Sequence, residues 1–116
     1  MQLVPDLTFL KQISDNDMDF IKDVLATFLD EMPKDMEALN TAIEHENFTD
    51  IGKIAHKTKS TLQTIGLLEL KELALTIEQA IKKGSTEPML LDQAKSFQQH
   101  ITQTYPHIQQ QINLSN

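Results

Sequence analysis

The chain has 116 residues, a formal charge of −7 at pH 7, 40% hydrophobic and only 5% aromatic residues. Its length suits one domain, 1–116, with an aliphatic core, and its acidity disfavours non-specific binding to nucleic acid or anionic membranes, which both rely on a basic surface. The absence of cysteine excludes disulfides, thiol catalysis and Cys-based zinc sites and is compatible with a reducing cytosol.

Pro5 and Asp6 open a short segment, "DLTFLKQIS", with Leu7, Phe9, Leu10 and Ile13 apolar. Ser14 or Asp15 is a suitable cap for the next helix. In that helix Ile21, Val24, Leu25, Phe28 and Met32 fall at helical spacing. Pro33 suits the first turn of a further helix, in which Met36, Leu39 and Ile43 share one side. Asn47 caps a helix whose buried stripe is Ile51, Ile54, Ala55, Thr58, Leu62 and Ile65, and Gly66 breaks or bends the chain. Leu70, Leu73, Ala74, Ile77 and Ile81 repeat the pattern up to two lysines and Gly84, a C-terminal signal. "STEP" is a loop. A last helix from about Met89 presents Leu90, Ala94, Phe97 and Ile101, and Pro106 should kink or end it.

Three glycines and four prolines are too few for a turn-rich β fold. No segment alternates convincingly with period two. Short links between amphipathic helices predict an all-α fold, an antiparallel up-and-down four-helix bundle with one or two short covering helices at the N-terminus. No apolar run approaches the ~18–20 residues of a membrane span, and "MQLVPDLTFLKQ" lacks a basic-then-apolar leader pattern. The expectation is a soluble, cytoplasmic monomer, and an initiating Met1 leans toward a stand-alone protein.

The charge is polarised. Residues 15–50 hold eleven acids against Lys22 and Lys34, whereas residues 51–68, opening "IGKIAHKTKSTLQTIG", hold three lysines and no acid. At 100° per residue His56 points about 140° from the apolar stripe, toward solvent. Gly52 and Ser60 flank it one turn away, Gln63 two turns away, and Lys53, Lys57 and Lys59 surround it. A neutral imidazole with an unperturbed pKa of ~6.5 is a competent nucleophile. Nearby ammonium groups would offset the charge of a phosphoryl group placed on it, and small flanking residues let a partner's backbone approach. On periodicity and charge alone, a solvated surface helix is the simpler reading.

The stretch "AHKTKSTLQTIGLLELKELALTIE", residues 55–78, resembles the signature of histidine-containing phosphotransfer (HPt) domains: Ala-His, a lysine three residues on, a glycine ten residues on, then a leucine-spaced helix. His56, Lys59 and Gly66 take those places, with Leu70, Leu73 and Ile77-Glu78 in register. The resemblance covers about residues 20–84. It departs at Thr58, where the family usually has leucine, and at Ser60, where it usually has glycine. Serine keeps the approach open, and Thr58 lies on the core stripe.

The resemblance implies a phosphocarrier, not an ATP-dependent enzyme, that accepts a phosphoryl group on His56 from a receiver-domain aspartyl phosphate and passes it to another receiver. Its partners would be receiver domains of response regulators and of hybrid sensor histidine kinases, which supply an acidic pocket and Mg²⁺. No cofactor or metal of its own is implied. Lys59 would stabilise the phosphoryl charge. Glu78 stands where some members hydrogen-bond the imidazole; here it either orients the ring or is an exposed helix acid. Gly52, Lys53, Lys57, Ser60, Gln63, Gly66 and Leu67 would meet the partner, with Leu10, Ile13 and Met18 as apolar contacts or ordinary core. The basic patch complements an acidic partner site.

Two other classes compete. The same bundle with its histidine unused would be a docking or inhibitory module. A di-iron carboxylate bundle needs Glu-x-x-His, which this chain lacks; His45, His100 and His107 read as solvated surface residues.

Overall fold

A computed structural model describes residues 1–114 and comprises α1 (Thr8–Ile13), α2 (Met18–Glu44), α3 (Phe48–Thr64), α4 (Leu68–Lys82) and α5 (Pro88–Leu114). Among the described residues there is no strand. α2 packs against α3 and α5, α3 against α4, and α4 against α5, with α1 lying on α2. The molecule measures 45 × 21 × 20 Å, as follows from helices of 27 residues rising ~1.5 Å per residue, about 40 Å each.

The core is built from the stripes that periodicity predicts. Ile21, Leu25, Phe28, Met32, Met36, Leu39 and Ile43 of α2 meet Ile51, Ala55 and Leu62 of α3, Leu70, Ala74 and Ile77 of α4, and Ala94, Phe97, Ile101 and Ile108 of α5. Each large side chain so buried contributes roughly 1.5–3 kcal/mol. Thr58 sits in this stripe as expected. Its hydroxyl donates to the Ile54 carbonyl at 2.9 Å, so the polar atom is satisfied without leaving the core.

The predicted break at Pro33 does not occur: α2 runs through it. Proline cannot donate to the Leu29 carbonyl, which costs about 3 kcal/mol in a helix interior. Phe28, Met32, Met36 and Leu39 continue one buried stripe across the site, and their combined burial outweighs that loss. Pro106 lies inside α5 for the same reason, between buried Thr104 and Ile108.

Helix ends follow local chemistry. The α2 cap is Asp17, not Ser14 or Asp15; its carboxylate accepts from Phe20 N while Asp15 and Asn16 turn the chain at positive φ. Asn47 caps α3 as expected, accepting from Asp50 N at 3.1 Å. α3 ends in a Schellman turn, with Leu67 N donating to Leu62 O at 2.9 Å and Gly66 N to Gln63 O at 3.1 Å. Gly66 adopts φ +74°, and a Cβ there would lie 1.9 Å from the Asp6 carbonyl oxygen. The glycine thus serves both the left-handed turn and the docking of the N-terminal segment. Its carbonyl accepts from Asp6 N at 3.2 Å and from Gln2 Nε2 at 2.6 Å, and buried Leu7 and Leu10 anchor α1.

Candidate functional site

The site begins with how closely α3 and α4 approach. Gly52 is buried on the α4 side of α3, and a Cβ on it would lie 3.0 Å from Ile81 Cγ2. With no side chain at this level, α4 comes in far enough for residues one turn from Ile81 to reach the α3 surface. His56, one turn after Gly52, extends over this seam with its side chain 64% exposed.

Glu78 occupies the seam beneath it. It follows Ile77 on the buried side of α4, and its side chain is only 3% exposed, which settles the alternative of an exposed helix acid against it. One carboxylate oxygen meets His56 Nδ1. The other accepts from Lys59 Nζ at 2.6 Å, and Lys82 Nζ lies 3.4 Å from the oxygen that meets the imidazole. Burial alone would push this carboxyl up. The hydrogen bonds from Lys59 and His56, the Lys59 charge and Lys82 overturn that and hold it down at about 2, against an ordinary 4.5.

The tautomer follows. An ionised carboxylate only accepts hydrogen bonds, so Nδ1 must carry the proton. In the neutral ring Nε2 then keeps the free lone pair. The arrangement presents a nucleophilic nitrogen to solvent, fixed from behind by a carboxylate whose charge is balanced by two ammonium groups. Thr49, Gly52, Lys53, Ile81 and Lys82 line the hollow that His56 and Glu78 share, of about 460 Å³.

The other expected site residues divide. Lys53 is exposed beside the hollow, and Ser60 and Gln63 continue the exposed face. Gln63 borders a second hollow with Asp6, Thr8, Phe9, Gln12, Gly66 and Leu68, where Phe9 and Leu68 are about half exposed. Leu67 and Leu10 are fully buried and belong to the core, and Gly66 is mostly covered by Asp6, reaching the surface only at the edge of that second hollow. Ile13 is exposed, and Met18 is partly buried.

Lys57 is a correction. It does not surround His56 but turns to the opposite flank of α3, donating to Asp35 of α2 at 2.7 Å. One residue is 100° around a helix, enough to place neighbours on different seams. There Lys57 borders a groove of about 480 Å³ whose other walls include Phe20, Val24, Phe28 and Thr61.

Sequence reasoning missed Lys82. Its spacing of four from Glu78 on a helix was a usable signal. Among the described residues no group of three or more His, Asp or Glu side chains could hold a metal ion, and no helix is long and apolar enough to cross a membrane.

Comparison with known proteins adds one finding. A family model described as the Hpt domain matches residues 23–111, a span containing His56, Lys59, Glu78 and Lys82. No curated protein and no solved structure matches the chain.

Proposed function

The chain belongs to the Hpt domain family, and from that premise we propose that it is a phosphocarrier of two-component signalling, with His56 as the residue that carries the phosphoryl group. The observation that carries this reading is the His56–Glu78 contact: an exposed imidazole with Nδ1 bonded to an ionised carboxylate and Nε2 free. Nε2 attacks the phosphorus of a receiver's aspartyl phosphate. The N–P bond forms as the P–O bond to aspartate breaks, and the carboxylate leaves with the electron pair. Transfer onward is the same exchange in reverse, onto the aspartate of another receiver. Hpt domains carry phosphate without kinase activity of their own, and this reading asks for no nucleotide site.

Lys59, which is bonded to Glu78 beside the ring, and Lys53, exposed one turn before His56, would both offset phosphoryl charge. Partners would be receiver domains of response regulators and hybrid sensor kinases. Small Ser60 leaves room for their backbone, and half-exposed Phe9 and Leu68 beyond Gln63 offer apolar contact. The supporting frame is an antiparallel up-and-down bundle of α2 to α5 with α1 as its cover, acting as a monomer in the cytoplasm.

The test is phosphoryl transfer from a panel of phosphorylated receiver domains to the wild type and to His56→Gln. Acid-labile, base-stable label on the wild type alone is the expected result, with helicity and melting of the variant nearly unchanged because the ring faces solvent. Receiver binding without transfer would favour a docking module in place of a carrier.

A further inference from the structure

We propose that Gln2 is a latch: its side-chain amide ties the N-terminal segment to the α3–α4 turn and so holds α1 in the position in which a receiver domain docks. This rests on the carrier reading above and extends it from the reacting ring to the surface that meets the partner. Gln2 is a positioning residue, since its contacts lie at the turn and not at His56.

The turn has two needs that its own side chains do not meet. α4 starts after Leu67, which makes no side-chain cap bond, so the first amides of that helix need an acceptor from elsewhere. Gly66 ends α3 at positive φ and turns its carbonyl to donors outside the helix. One carboxamide serves both. Gln2 Oε1 accepts from Leu68 N at 3.2 Å, while Gln2 Nε2 donates to the Gly66 carbonyl at 2.6 Å and to the Val4 carbonyl at 3.1 Å. The Gln2 backbone amide adds a bond to Glu69 Oε2 at 3.1 Å. The partners in the turn and α4 stand 64 to 67 residues away in sequence, so tertiary bonds fasten this segment, not local folding. Only a carboxamide supplies acceptor and donor side by side. A carboxylate would still meet Leu68 N but would face the Gly66 oxygen with a second acceptor.

α1 needs such a fastening. It has six residues, well short of the ~12–15 at which an isolated helix becomes marginally stable. It sits on the bundle through Leu7 and Leu10 and through Asp6 N, which donates to the same Gly66 carbonyl at 3.2 Å. A hollow of about 220 Å³ lies between α1 and the turn, bordered by Phe9 and Gln12 on one side and by Gln63 and Leu68 on the other. Gln2 and Asp6, both bonded at the turn, together fix the spacing of those walls. Gln63 follows His56 by seven residues, ~10 Å along the helix, and on the same exposed face. A standard interface covers about 800 Å² of each partner, a patch roughly 30 Å across, so a receiver centred on His56 covers this hollow. With α1 already fixed, that receiver does not have to order it on binding.

The test uses the full chain as wild type, Gln2→Leu and Gln2→Glu, each phosphorylated with potassium phosphoramidate. Transfer to an unphosphorylated receiver is then measured against receiver concentration. Leucine keeps the bulk of the side chain and removes both hydrogen-bonding functions. In Gln2→Leu the receiver KM should rise about fivefold, the equilibrium equivalent of a net hydrogen bond, with kcat and the rate of labelling by phosphoramidate unchanged. The Lys11 and Ser14 amides, which close α1 onto the Leu7 and Leu10 carbonyls, should exchange with solvent deuterium faster by a similar factor. Glutamate would preserve a plain cap of α4 but not the bond to Gly66, so Gln2→Glu should share the raised KM. Wild-type KM in either variant would overturn the proposal and leave the carrier reading intact, whether or not melting falls. A lower kcat or slower phosphoramidate labelling at unchanged KM would overturn it too, by placing the effect at the ring. If neither phosphoramidate nor any receiver labels His56, the carrier reading falls and the proposal with it.

Discussion

The two flanks of α3 carry the same kind of bond and use it differently. On one, Lys57 reaches across to Asp35 of α2 at 2.7 Å; on the other, Lys59 reaches across to Glu78 of α4 at 2.6 Å. The lengths are nearly equal, but the surroundings are not. Lys57 is 67% exposed and its partner Asp35 16%, so the pair keeps one end in water, whereas Lys59 is 26% exposed and Glu78 only 3%. An ion pair in water is worth little, because solvent already serves both charges. A covered carboxylate has lost that service and depends on its protein partners. The α2 flank therefore tethers two helices, and the α4 flank holds a covered carboxylate against one nitrogen of the His56 ring.

The comparison breaks most sharply at Glu78. Glu78→Ala leaves Lys59 without its acceptor and opens a void in the seam, so it should cost roughly 1–3 kcal/mol in denaturant unfolding, and it should also slow phosphoryl transfer. A loss no larger than that of an exposed pair would mean the α4 flank is no different from the α2 flank.

Acid unfolding sharpens the same point. The Glu78 carboxyl is held at about 2 in the folded protein, below its ordinary 4.5. A depressed carboxyl stabilises the fold fully above the unfolded value, and that contribution is lost as pH falls from about 4.5 through about 2. The Glu78→Gln variant should lack this part of the pH dependence of unfolding, with a flatter slope between those limits. Superimposable slopes would show that Glu78 is not held down.

Smaller effects follow. Lys59→Ala should slow transfer by about tenfold, equivalent to ~1.4 kcal/mol of lost charge stabilisation, while the bundle stays folded. Unaltered rates and phosphohistidine lifetime would remove the lysine from the chemistry. Lys57→Ala should change neither melting nor transfer measurably, and what little it does should vanish in high salt. A clear loss of transfer there would return Lys57 to the site from which its contact with Asp35 separates it.

Much of this was legible in the chain, for identifiable reasons. Apolar residues at helical spacing have one way to be buried together, so the stripes of α2 to α5 could be read directly, as could the outward direction of His56. Caps and prolines were read less well, because they are local signals that packing overrides. Pro33 looks like a helix start only if Phe28 and Met36 are not seen to share one core. The burial of Glu78 was not legible, since it depends on the distance between two helices, which Gly52 and Ile81 set. The diversion of Lys57 needed the position of Asp35, twenty-two residues away. Leu10 and Leu67, offered by the sequence as partner contacts or as ordinary core, are core, because the short covering helix and the turn after α3 bury them completely.

The two prolines carry a consequence for how the molecule opens. Both lie in the α2–α5 pair, where Phe28 stacks edge-on against Tyr105 and Gln98 donates to the Met36 carbonyl. Neither Pro33 nor Pro106 can complete the helical ladder, so the amides around them should exchange with solvent deuterium through small local openings. The α3–α4 hairpin has no such gap and is closed by the Schellman turn at Gly66. Its amides should be among the last to exchange. Breathing of the bundle should thus fall mainly in α2 and α5, away from the seam in which His56 meets Glu78.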